Sequence, residues 1–425
     1  MHIRFLDLFA GAGGLSEGFI QAGYTPVAHV EMDKAACYTL RTRAVFHELN
    51  KTEEGQRTYK NYLLGKFTRE QLYNSVPRTV TDAVIEKAIG ADTIDEIFKR
   101  IDKLLNENEI DLIIGGPPCQ AYSLVGRSRV GEEIKSDDRN YLFRYYVKFL
   151  EHYKPKFFVF ENVTGLYTAR DKEGNSFYFQ VVNALEEAGY QLSEHVCRTE
   201  EYGLPQKRRR VIIIGTRKDL IPPPPFAPNH QICPKISELL HDLKFIQAGE
   251  GIIRANGRAQ GKKTDSWLFN NNVADKIYPV TFHQARPVNN HDKFIYREAV
   301  RLWKEGGIRF NYASHLSESM QTHKNRNAFT DRFKVVDGEA TASQTVVAHI
   351  SKDGHYYIHF DENQNRSLSP REAARLQTFP DNYFFESGTT KDGRAAAFRQ
   401  IGNAVPVMLA RKIAEHLLPY IKDSE

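Results

Sequence analysis

An apolar run and a cysteine-bearing loop meet in the stretch IIGGPPCQAYS, which spans residues 113–123. The run from Asp111 to Ile114 predicts a buried strand, and the Gly-Gly-Pro-Pro that follows is compatible with neither helix nor sheet. The chain must therefore turn sharply at the strand end, which places Cys119 on a rigid loop. Loops at the carboxyl ends of parallel strands are where open α/β sheets hold their reactive groups. A free cysteine is more often a small buried residue, so the thiol alone does not decide the function.

The N-terminal part of the chain has the layout of a nucleotide-binding α/β unit. Residues 3–9 predict a buried strand, a glycine turn follows at 11–14, and a helix runs to about Ala22. A second strand at 27–30 ends on Glu31, close to the offset at which such folds place an acid on ribose hydroxyls. Each signal is weak alone, but their order predicts a nucleotide-type site.

Further apolar runs continue the same alternation of strands and helices. The segments at 157–160 and 210–215 predict buried strands, and those at 139–153 and 177–188 predict helices. The pattern favours an α/β fold built on a mostly parallel sheet. Four consecutive prolines at 222–225 end the pattern and indicate a domain boundary.

Residues 206–210 read QKRRR and lead directly into the predicted strand at 210–215. An isolated basic run usually lies on a solvated face or contacts phosphates. Because successive side chains of a strand point to opposite faces, those at 206, 208 and 210 should project to one side and those at 207 and 209 to the other. One set can therefore face a pocket.

Size and composition bound the class of protein. The 425 residues allow two or three domains, and 41% hydrophobic with 26% charged content is ordinary for a globular protein. No apolar run approaches a membrane span and the first residues lack a signal-peptide layout, so we expect a cytoplasmic protein. The four cysteines form no C-x-x-C pair, which disfavours a zinc site or a disulfide framework. A net charge of +5 is compatible with nucleic-acid binding without requiring it.

Six blocks, in order along nearly the whole chain, resemble the DNA cytosine-5 methyltransferases. They are FLDLFAGAGG at 5–14, PCQ at 118–120, ENV at 161–163, QKRRR at 206–210, REAARLQTFP at 371–380 and GNAVP at 402–406. The resemblance implies a class I, Rossmann-like methyltransferase sheet with a second, smaller and irregular target-recognition domain. It also implies S-adenosylmethionine as methyl donor, with S-adenosylhomocysteine as product, and no metal.

The resemblance assigns catalytic roles to four residues. Carbon 5 of cytosine is a poor nucleophile, so a thiolate must first add at carbon 6, and Cys119 would supply it. Glu161 would meet N3, and desolvation at a buried strand end should disfavour its ionised form. Arg208 and Arg210 would hold Glu161 and the cytosine. Further substrate-binding residues implied are Pro118, Gln120, Ser123, Asn162 and Gln206.

The resemblance also implies a cofactor pocket. Phe9 would lie against the adenine, the turn at 11–14 would line the methionine part, and Glu31 would take the ribose hydroxyls. The residues implied are Asp7, Phe9, Gly11, Ala12, Gly13, Gly14, Glu31, Met32, Asp92, Leu142, Asn403 and Val405. The base that removes the carbon 5 proton is not identified, and a water molecule or a side chain could serve.

Domain boundaries follow from these blocks. We expect a catalytic domain at 1–219, a recognition domain at 220–395 and a C-terminal return at 396–425. A helical insertion at about 43–108 is expected to be a solvated structural elaboration, with contact to DNA or a partner as the alternative. The resemblance implies that the polar stretch 126–139 closes over DNA as a lid, and a solvated surface loop is the alternative there.

Two local patterns add secondary-structure predictions. Apolar residues at four-residue intervals from Val405 to Leu417 predict a C-terminal amphipathic helix. Alternation at 346–350 and 356–360 predicts a hairpin. Basic candidates for DNA contact are Arg254, Arg258, Lys262, Lys263, Arg286, His323, Lys324 and Arg326.

The expected reaction is methylation of carbon 5 of a flipped-out cytosine in double-stranded DNA, as the modification half of a restriction system. We expect a monomer with a separately encoded restriction endonuclease. A tRNA cytosine-5 methyltransferase and a non-catalytic DNA-binding regulator remain open alternatives. A thiol hydrolase would need a histidine near Cys119, and none of the six blocks contains one.

Overall fold

The computed structural model describes residues 2–118, 141–228, 231–322, 329–389 and 393–423. Its strands are β1 (Arg4–Leu8), β2 (Thr25–Glu31), β3 (Val84–Glu86), β4 (Leu112–Gly115), β5 (Phe157–Asn162), β6 (Tyr190–Arg198), β7 (Arg209–Arg217), β8 (Gly251–Ile252) and β9 (His283–Gln284). Its first eight α-helices are α1 (Gly14–Gln21), α2 (Lys34–Leu49), α3 (Glu53–Leu63), α4 (Arg69–Tyr73), α5 (Arg78–Asp82), α6 (Ile94–Leu105), α7 (Leu142–Tyr153) and α8 (Phe177–Glu187). The later ones are α9 (Ile236–Leu240), α10 (Ser266–Asn270), α11 (Asn290–Gly306), α12 (Pro370–Leu376), α13 (Arg394–Asn403) and α14 (Val407–Asp423). None of these helices combines the length and apolar character that crossing a membrane requires.

Seven strands form one sheet in the order β3-β2-β1-β4-β5-β7-β6. Only β7 runs antiparallel to its neighbours, and the other pairs are parallel. This is the predicted Rossmann-like arrangement, and every strand predicted from an apolar run is present. The strand order reverses between β1 and β4, which is where open α/β sheets bind their ligands.

Apolar side chains of the sheet fill two cores, one on each face. Leu6 and Ile113 belong to the core under α6, α7 and α8, whereas Phe5 and Ile114 belong to the core under α1 and α14. Because the strands are buried on both faces, the sequence shows continuous apolar runs instead of alternation with polar residues. The result is a three-layer domain whose parallel strands end at one common edge.

The C-terminal helix α14 packs directly on α1. A Cβ atom built on Gly18 would lie 2.4 Å from the Cβ of Ala410, so the helices approach more closely than a larger residue at 18 would allow. The predicted amphipathic face is confirmed, since Leu409, Ile413 and Leu417 are fully buried. The last helix therefore covers the same face of the sheet as the first.

The segment at 43–108 is largely helical, as predicted, but it is not a solvated elaboration. β3 extends the sheet by pairing with β2, and α6 covers one face. Tyr59, Tyr62 and Leu72 of α3 and α4 lie in a third apolar core, which they share with residues such as Phe282 of the segment between β7 and α13. This segment is called the recognition part here, after the domain that the sequence predicts there. These helices therefore join the sheet to the recognition part.

The recognition part lies between β7 and α13 and consists of short elements joined by long connections. β8 and β9 pair antiparallel in a small separate sheet. α11 packs through Tyr296 and Val300 on an apolar cluster that includes Phe333. This irregular architecture agrees with the resemblance.

The hairpin predicted at 346–360 is wrong. The chain there forms two short 3-10 helices, Ala348–Ser351 and His355–Tyr357. Ile358 instead forms isolated bridges with Val335 and Ser367. This segment therefore pairs with residues outside the predicted hairpin, in place of the local strand pairing that the alternation of side chains predicted.

Candidate active site

The carboxyl ends of β4 and β5 bring the cysteine loop and Glu161 together. The two strands pair Gly115 with Phe160, so the residues that follow lie side by side at the sheet edge. A Cβ atom on Gly116 would lie 2.6 Å from Oε2 of Glu161. A larger residue at 116 would therefore displace the Glu161 carboxylate, which lies directly against the loop backbone.

Asn162 contacts the same loop from β5. Its Nδ2 atom lies 3.5 Å from the carbonyl oxygen of Pro117, and its Oδ1 accepts a hydrogen bond from the Val163 amide at 2.8 Å. Pro118 is exposed at the end of this described stretch. The predictions that lie outside the described residues are Cys119, Gln120, Ser123 and the lid at 126–139.

Arg210 meets Glu161 across the antiparallel pair of β5 and β7. Nε of the arginine lies 2.6 Å from Oε1 of the carboxylate, and the two side chains are 13% and 14% exposed. The resemblance implied that both Arg208 and Arg210 hold Glu161, and in the structure it is Arg210 that lies at ion-pair distance from the carboxylate. The pair therefore places a positive charge next to a carboxylate beside the cysteine loop.

Arg208 makes different contacts from those that the resemblance implies. It is fully buried, and it donates from Nη1 to the carbonyl oxygen of Val346 at 2.7 Å and from Nη2 to that of Gly402 at 3.2 Å. Burial and the charge of Arg210 lower the pKa of Arg208 well below its ordinary value. Of these two arginines, Arg210 makes the ion pair with Glu161, and Arg208 joins β7 to the chain around 346 and 402.

The predicted alternation along 206–210 is confirmed. The side chains at 206 and 208 are buried, and those at 207 and 209 are exposed. Gln206 donates from Nε2 to Oε1 of Gln377 at 2.7 Å, and its Oε1 accepts from the Val346 amide at 2.7 Å. Gln206 therefore lies inside the protein, between the sheet and the recognition part.

The glycine turn after β1 has an open side and a closed side. Gly11 and Gly13 have φ values of 55° and 81°, in the region that favours glycine. No described atom lies within 4 Å of a Cβ atom built on Gly11, whereas one built on Gly14 would lie 2.4 Å from the carbonyl oxygen of Val405. Phe9 shares the left-handed conformation with a φ of 56°. The turn from α13 to α14 therefore packs on one side of the glycine loop.

Glu31 closes the glycine turn from β2. Its Oε2 accepts from the Gly11 amide at 2.8 Å, and its Oε1 accepts from the amides of Met32 and Asp33 at 2.8 and 2.7 Å. Burial raises the pKa of Glu31, and the three amide donors oppose that effect. The predicted ribose-binding acid thus lies directly at the glycine loop.

Other predicted cofactor residues lie near the same edge of the sheet. Met32 is 67% exposed at the end of β2. Asp92 is exposed in the connection from β3 to α6. Leu142 begins α7, and Asn403 ends α13 as an exposed residue. These four positions therefore lie at the ends of elements or in the connections between them.

Two predicted cofactor residues are almost completely buried, and each has a contact that the sequence did not reveal. Asp7 is 1% exposed, and its Oδ2 lies 3.3 Å from Nδ1 of His29 inside the sheet. Ala12 is 3% exposed, and its carbonyl oxygen accepts from the Tyr383 hydroxyl at 2.6 Å. Tyr383 was missed because its only signal was its position next to the block at 371–380.

Three of the cations predicted to contact DNA are used inside the protein. Arg254 donates to a backbone carbonyl of α3 at 2.6 Å, Arg258 lies 3.2 Å from a carboxylate oxygen of Asp381, and Arg286 donates to carbonyl oxygens at 350–352. Each of these arginines therefore has an internal partner that charge alone does not reveal, and their contact with DNA stays a prediction. Of the remaining candidates, Lys262 and Lys263 are exposed, and His323, Lys324 and Arg326 lie outside the described residues.

The seven-stranded sheet, with the glycine turn and the Glu161–Arg210 pair at its carboxyl edge, has the Rossmann-like fold of class I methyltransferases. The family model for C-5 cytosine-specific DNA methylases matches residues 3–77 and 78–418. The chain therefore belongs to this family, and it is a DNA (cytosine-5-)-methyltransferase.

Individual relatives agree with this assignment. The chain is 37% identical to type II methyltransferase M.Bpa9945I of Bacillus paralicheniformis, over 96% of this chain and 97% of that protein. It is 27% identical to type II methyltransferase M.DdeI of Desulfomicrobium norvegicum, over 99% of this chain and 90% of that protein. A crystal structure of a protein assigned as a DNA modification methyltransferase, from an E. coli prophage, matches with a TM-score of 0.64 at 21% identity, over 99% of both chains. That likeness shows the fold.

Proposed function

We propose that this enzyme methylates carbon 5 of a flipped-out cytosine in double-stranded DNA through a covalent adduct with Cys119. The observation that carries the proposal is the Glu161–Arg210 pair, which lies against Gly116 where the cysteine loop leaves β4. An acid and a cation beside a nucleophile are what activation of a cytosine ring requires. The contacts of this pair support the proposed roles of Glu161 and Arg210.

The thiolate of Cys119 adds to carbon 6 of the cytosine and forms a carbon–sulfur bond, while negative charge develops on the ring. Glu161 in its protonated form gives its proton to N3 and neutralises that charge, which leaves the carboxylate that pairs with Arg210. Arg210 lies 2.6 Å from this carboxylate and would place its positive charge near O2, the exocyclic oxygen of the cytosine. After transfer, a base removes the carbon 5 proton, the carbon–sulfur bond breaks to return the thiolate, and N3 returns its proton to Glu161.

The residues around the glycine turn fit an adenosyl ligand. When bound, S-adenosylmethionine supplies an electrophilic methyl group on a sulfonium, which leaves without help from a metal. Gly11 has an open side, and the Glu31 carboxylate lies beside it with spare acceptor capacity for ribose hydroxyls. Phe9 and the segment at 403–405 would enclose the ligand from either side.

DNA binding and biological context complete the proposal. Flipping a cytosine costs a few kcal/mol of unstacking and unpairing, which contacts from the recognition part must offset. Exposed Lys262 and Lys263 are the described basic candidates for that surface.

The type II relatives support a role as the modification enzyme of a restriction-modification system, with a separate endonuclease. We propose that the enzyme acts as a monomer.

The deciding experiment is methylation of mixed-sequence duplex DNA by the purified protein and S-adenosylmethionine, followed by bisulfite sequencing of every cytosine. Protection at one short recurring sequence is the expected result. That sequence should then resist cleavage by an endonuclease encoded beside the gene. Unprotected duplex DNA together with methylated tRNA would overturn the proposed substrate.

A further inference from the structure

The buried segment 380–387, which follows α12, contacts the glycine loop directly. Tyr383 lies at its centre and is 1% exposed. Its hydroxyl donates to the carbonyl oxygen of Ala12 at 2.6 Å, although the two residues are 371 positions apart. The recognition part thus supplies a hydrogen bond to the loop that follows β1.

The glycine loop is held by donors and acceptors on opposite sides. Glu31 accepts from the Gly11 amide at 2.8 Å, and the Gly13 amide donates to the Ala10 carbonyl at 3.0 Å. Tyr383 provides the hydrogen bond to the Ala12 carbonyl. A Cβ atom on Gly13 would lie 2.8 Å from the Tyr383 oxygen, so the hydroxyl packs closely against the turn.

The ring of Tyr383 is itself fixed by a buried ion pair. The guanidinium of Arg43 lies 4.7 Å from the ring centre and also donates to Asn382 at 2.8 Å. Arg43 makes two hydrogen bonds to Glu17 of α1, at 2.7 and 2.6 Å, and His47 lies 3.0 Å from the same carboxylate. The helix that begins at the glycine loop is therefore joined to the residues that position the tyrosine.

We propose that Tyr383 is a positioning residue for the cofactor, which acts by fixing the Ala12 peptide. The inference rests on the proposed binding of S-adenosylmethionine at this loop. Without the hydroxyl, the Ala12 carbonyl is buried with its donor missing, and an unsatisfied buried group of this kind is costly. The loop then shifts to recover a partner, and the cofactor loses its preorganised contacts with residues 11–14.

Tyr383→Phe tests this role, and Tyr59→Phe is its matched control. Tyr59 is also fully buried, and its hydroxyl donates to the carbonyl of Asn382 at 2.9 Å, one residue away from Tyr383. Both variants lose one buried hydroxyl in the same cluster. Only Tyr383→Phe changes a contact to the glycine loop.

We expect Tyr383→Phe to weaken S-adenosylmethionine binding by about tenfold in isothermal titration, because one buried hydrogen bond to the loop is lost. Its KM for S-adenosylmethionine should rise by a similar factor while its KM for DNA is unchanged. Tyr59→Phe should bind the cofactor as the wild type does. If Tyr383→Phe is too unstable for titration, its unfolding midpoint is measured with and without saturating cofactor. The cofactor should then raise the midpoint of Tyr383→Phe less than it raises that of the wild type.

Two results would overturn the inference, and they differ from failure of the proposed function. Equal cofactor affinity in Tyr383→Phe and the wild type removes the positioning role but leaves the proposed function intact. Equal weakening in both tyrosine variants shows a general packing effect. If the wild type binds no S-adenosylmethionine, the proposed cofactor site fails and the inference fails with it.

Discussion

Two arginine-rich blocks of this chain have similar composition and opposite surroundings. In the block at 371–375, Arg371 and Arg375 are fully buried. Arg375 pairs with both Asp242 and Asp381, and Arg371 donates to three backbone carbonyl oxygens. Arg371 and Arg375, together with these partners, are called the closed network, because both arginines are fully buried and paired within the protein.

The block at 206–210 ends instead at the edge of the sheet. Arg210 and Glu161 pair there, and each side chain keeps a seventh or less of its surface exposed. The carboxylate also lies against the loop that carries the proposed nucleophile. Arg210 is thus partly exposed at the edge where we expect the substrate, whereas Arg371 and Arg375 are fully buried. The open site, which is the Glu161–Arg210 pair with the cysteine loop, and the closed network should therefore respond differently to substitution.

The largest effect should come from Cys119→Ser, which removes the nucleophile of the open site. A hydroxyl is a much weaker nucleophile than a thiolate at neutral pH, so we expect methylation to fall by about a thousandfold or more. Binding of S-adenosylmethionine and of DNA should be retained. Cys197→Ser, at a buried thiol of β6, is the control and should keep its activity. Full activity in Cys119→Ser would remove this residue from the mechanism.

Arg375→Ala should break the closed network and act on stability. The change leaves Asp242 and Asp381 buried without their main cation, and removal of one partner of a buried pair costs about 3–5 kcal/mol. Denaturant unfolding measures the loss. Arg301→Ala, which removes an arginine paired on the surface of α11, should leave the unfolding midpoint unchanged. A loss below about 1 kcal/mol in Arg375→Ala would mean that the network is not closed.

Arg210→Ala should act mainly on turnover, with a smaller loss of stability than Arg375→Ala because its pair keeps some exposure to solvent. Loss of one preorganised charge beside the ring is expected to lower kcat by about a hundredfold to a thousandfold. Arg209→Ala is the matched control, since Arg209 is the preceding residue of the same strand and its exposed side chain points to the other face. Single-turnover kinetics at saturating DNA measure the loss of turnover in each variant separately from any loss of DNA affinity. A pure loss of DNA affinity in Arg210→Ala would place that arginine among ordinary phosphate contacts.

The open site was predictable because its signals are local. Apolar runs gave the strands, the glycines gave the turn after β1, and the two-residue period of a strand assigned the sides of 206–210 correctly. The resemblance then supplied the roles. The site could be located from sequence because the carboxyl ends of the parallel strands β1, β4 and β5 lie at one edge of the sheet, whatever the details of their packing.

The closed network was not predictable, because its partners are far apart in the chain. Arg258 and Asp381 are 123 positions apart, and Tyr383 and Ala12 are 371 apart. A charge pattern cannot show such pairs, so the internal partners of Arg254, Arg258 and Arg286 were missed and these arginines remained candidates for DNA contact. The hairpin at 346–360 failed for the same reason, since Ile358 bridges to Val335 and Ser367 instead. Only coordinates distinguish a cation held inside the protein from one that reaches a ligand.

The smallest effect we predict concerns acid sensitivity beside the closed network, where Nε2 of His359 lies 3.6 Å from Oε1 of Glu372 in the block at 371–375. His359 is 3% exposed, and burial lowers its pKa to about 3. Arg366 and His283 also disfavour its protonation, whereas Glu372 and Asp361 favour it. Because the pKa in the unfolded chain is near 6.5, the unfolded state takes up this proton first as the pH falls. The stabilising contribution is therefore complete above about pH 6.5 and is lost progressively toward pH 3.

His359→Gln removes this titration and keeps a polar side chain that can accept from the Asp361 amide, as His359 does at 3.0 Å. Between pH 7 and pH 5 the wild type should lose about 2 kcal/mol of unfolding free energy through His359, and the variant should be spared that loss. Denaturant unfolding at both pH values measures the difference. Arg210→Ala, a change at the edge of the sheet, should lose as much unfolding free energy between pH 7 and pH 5 as the wild type does. If His359→Gln is as acid-sensitive as the wild type, a different buried group controls the acid stability of the network.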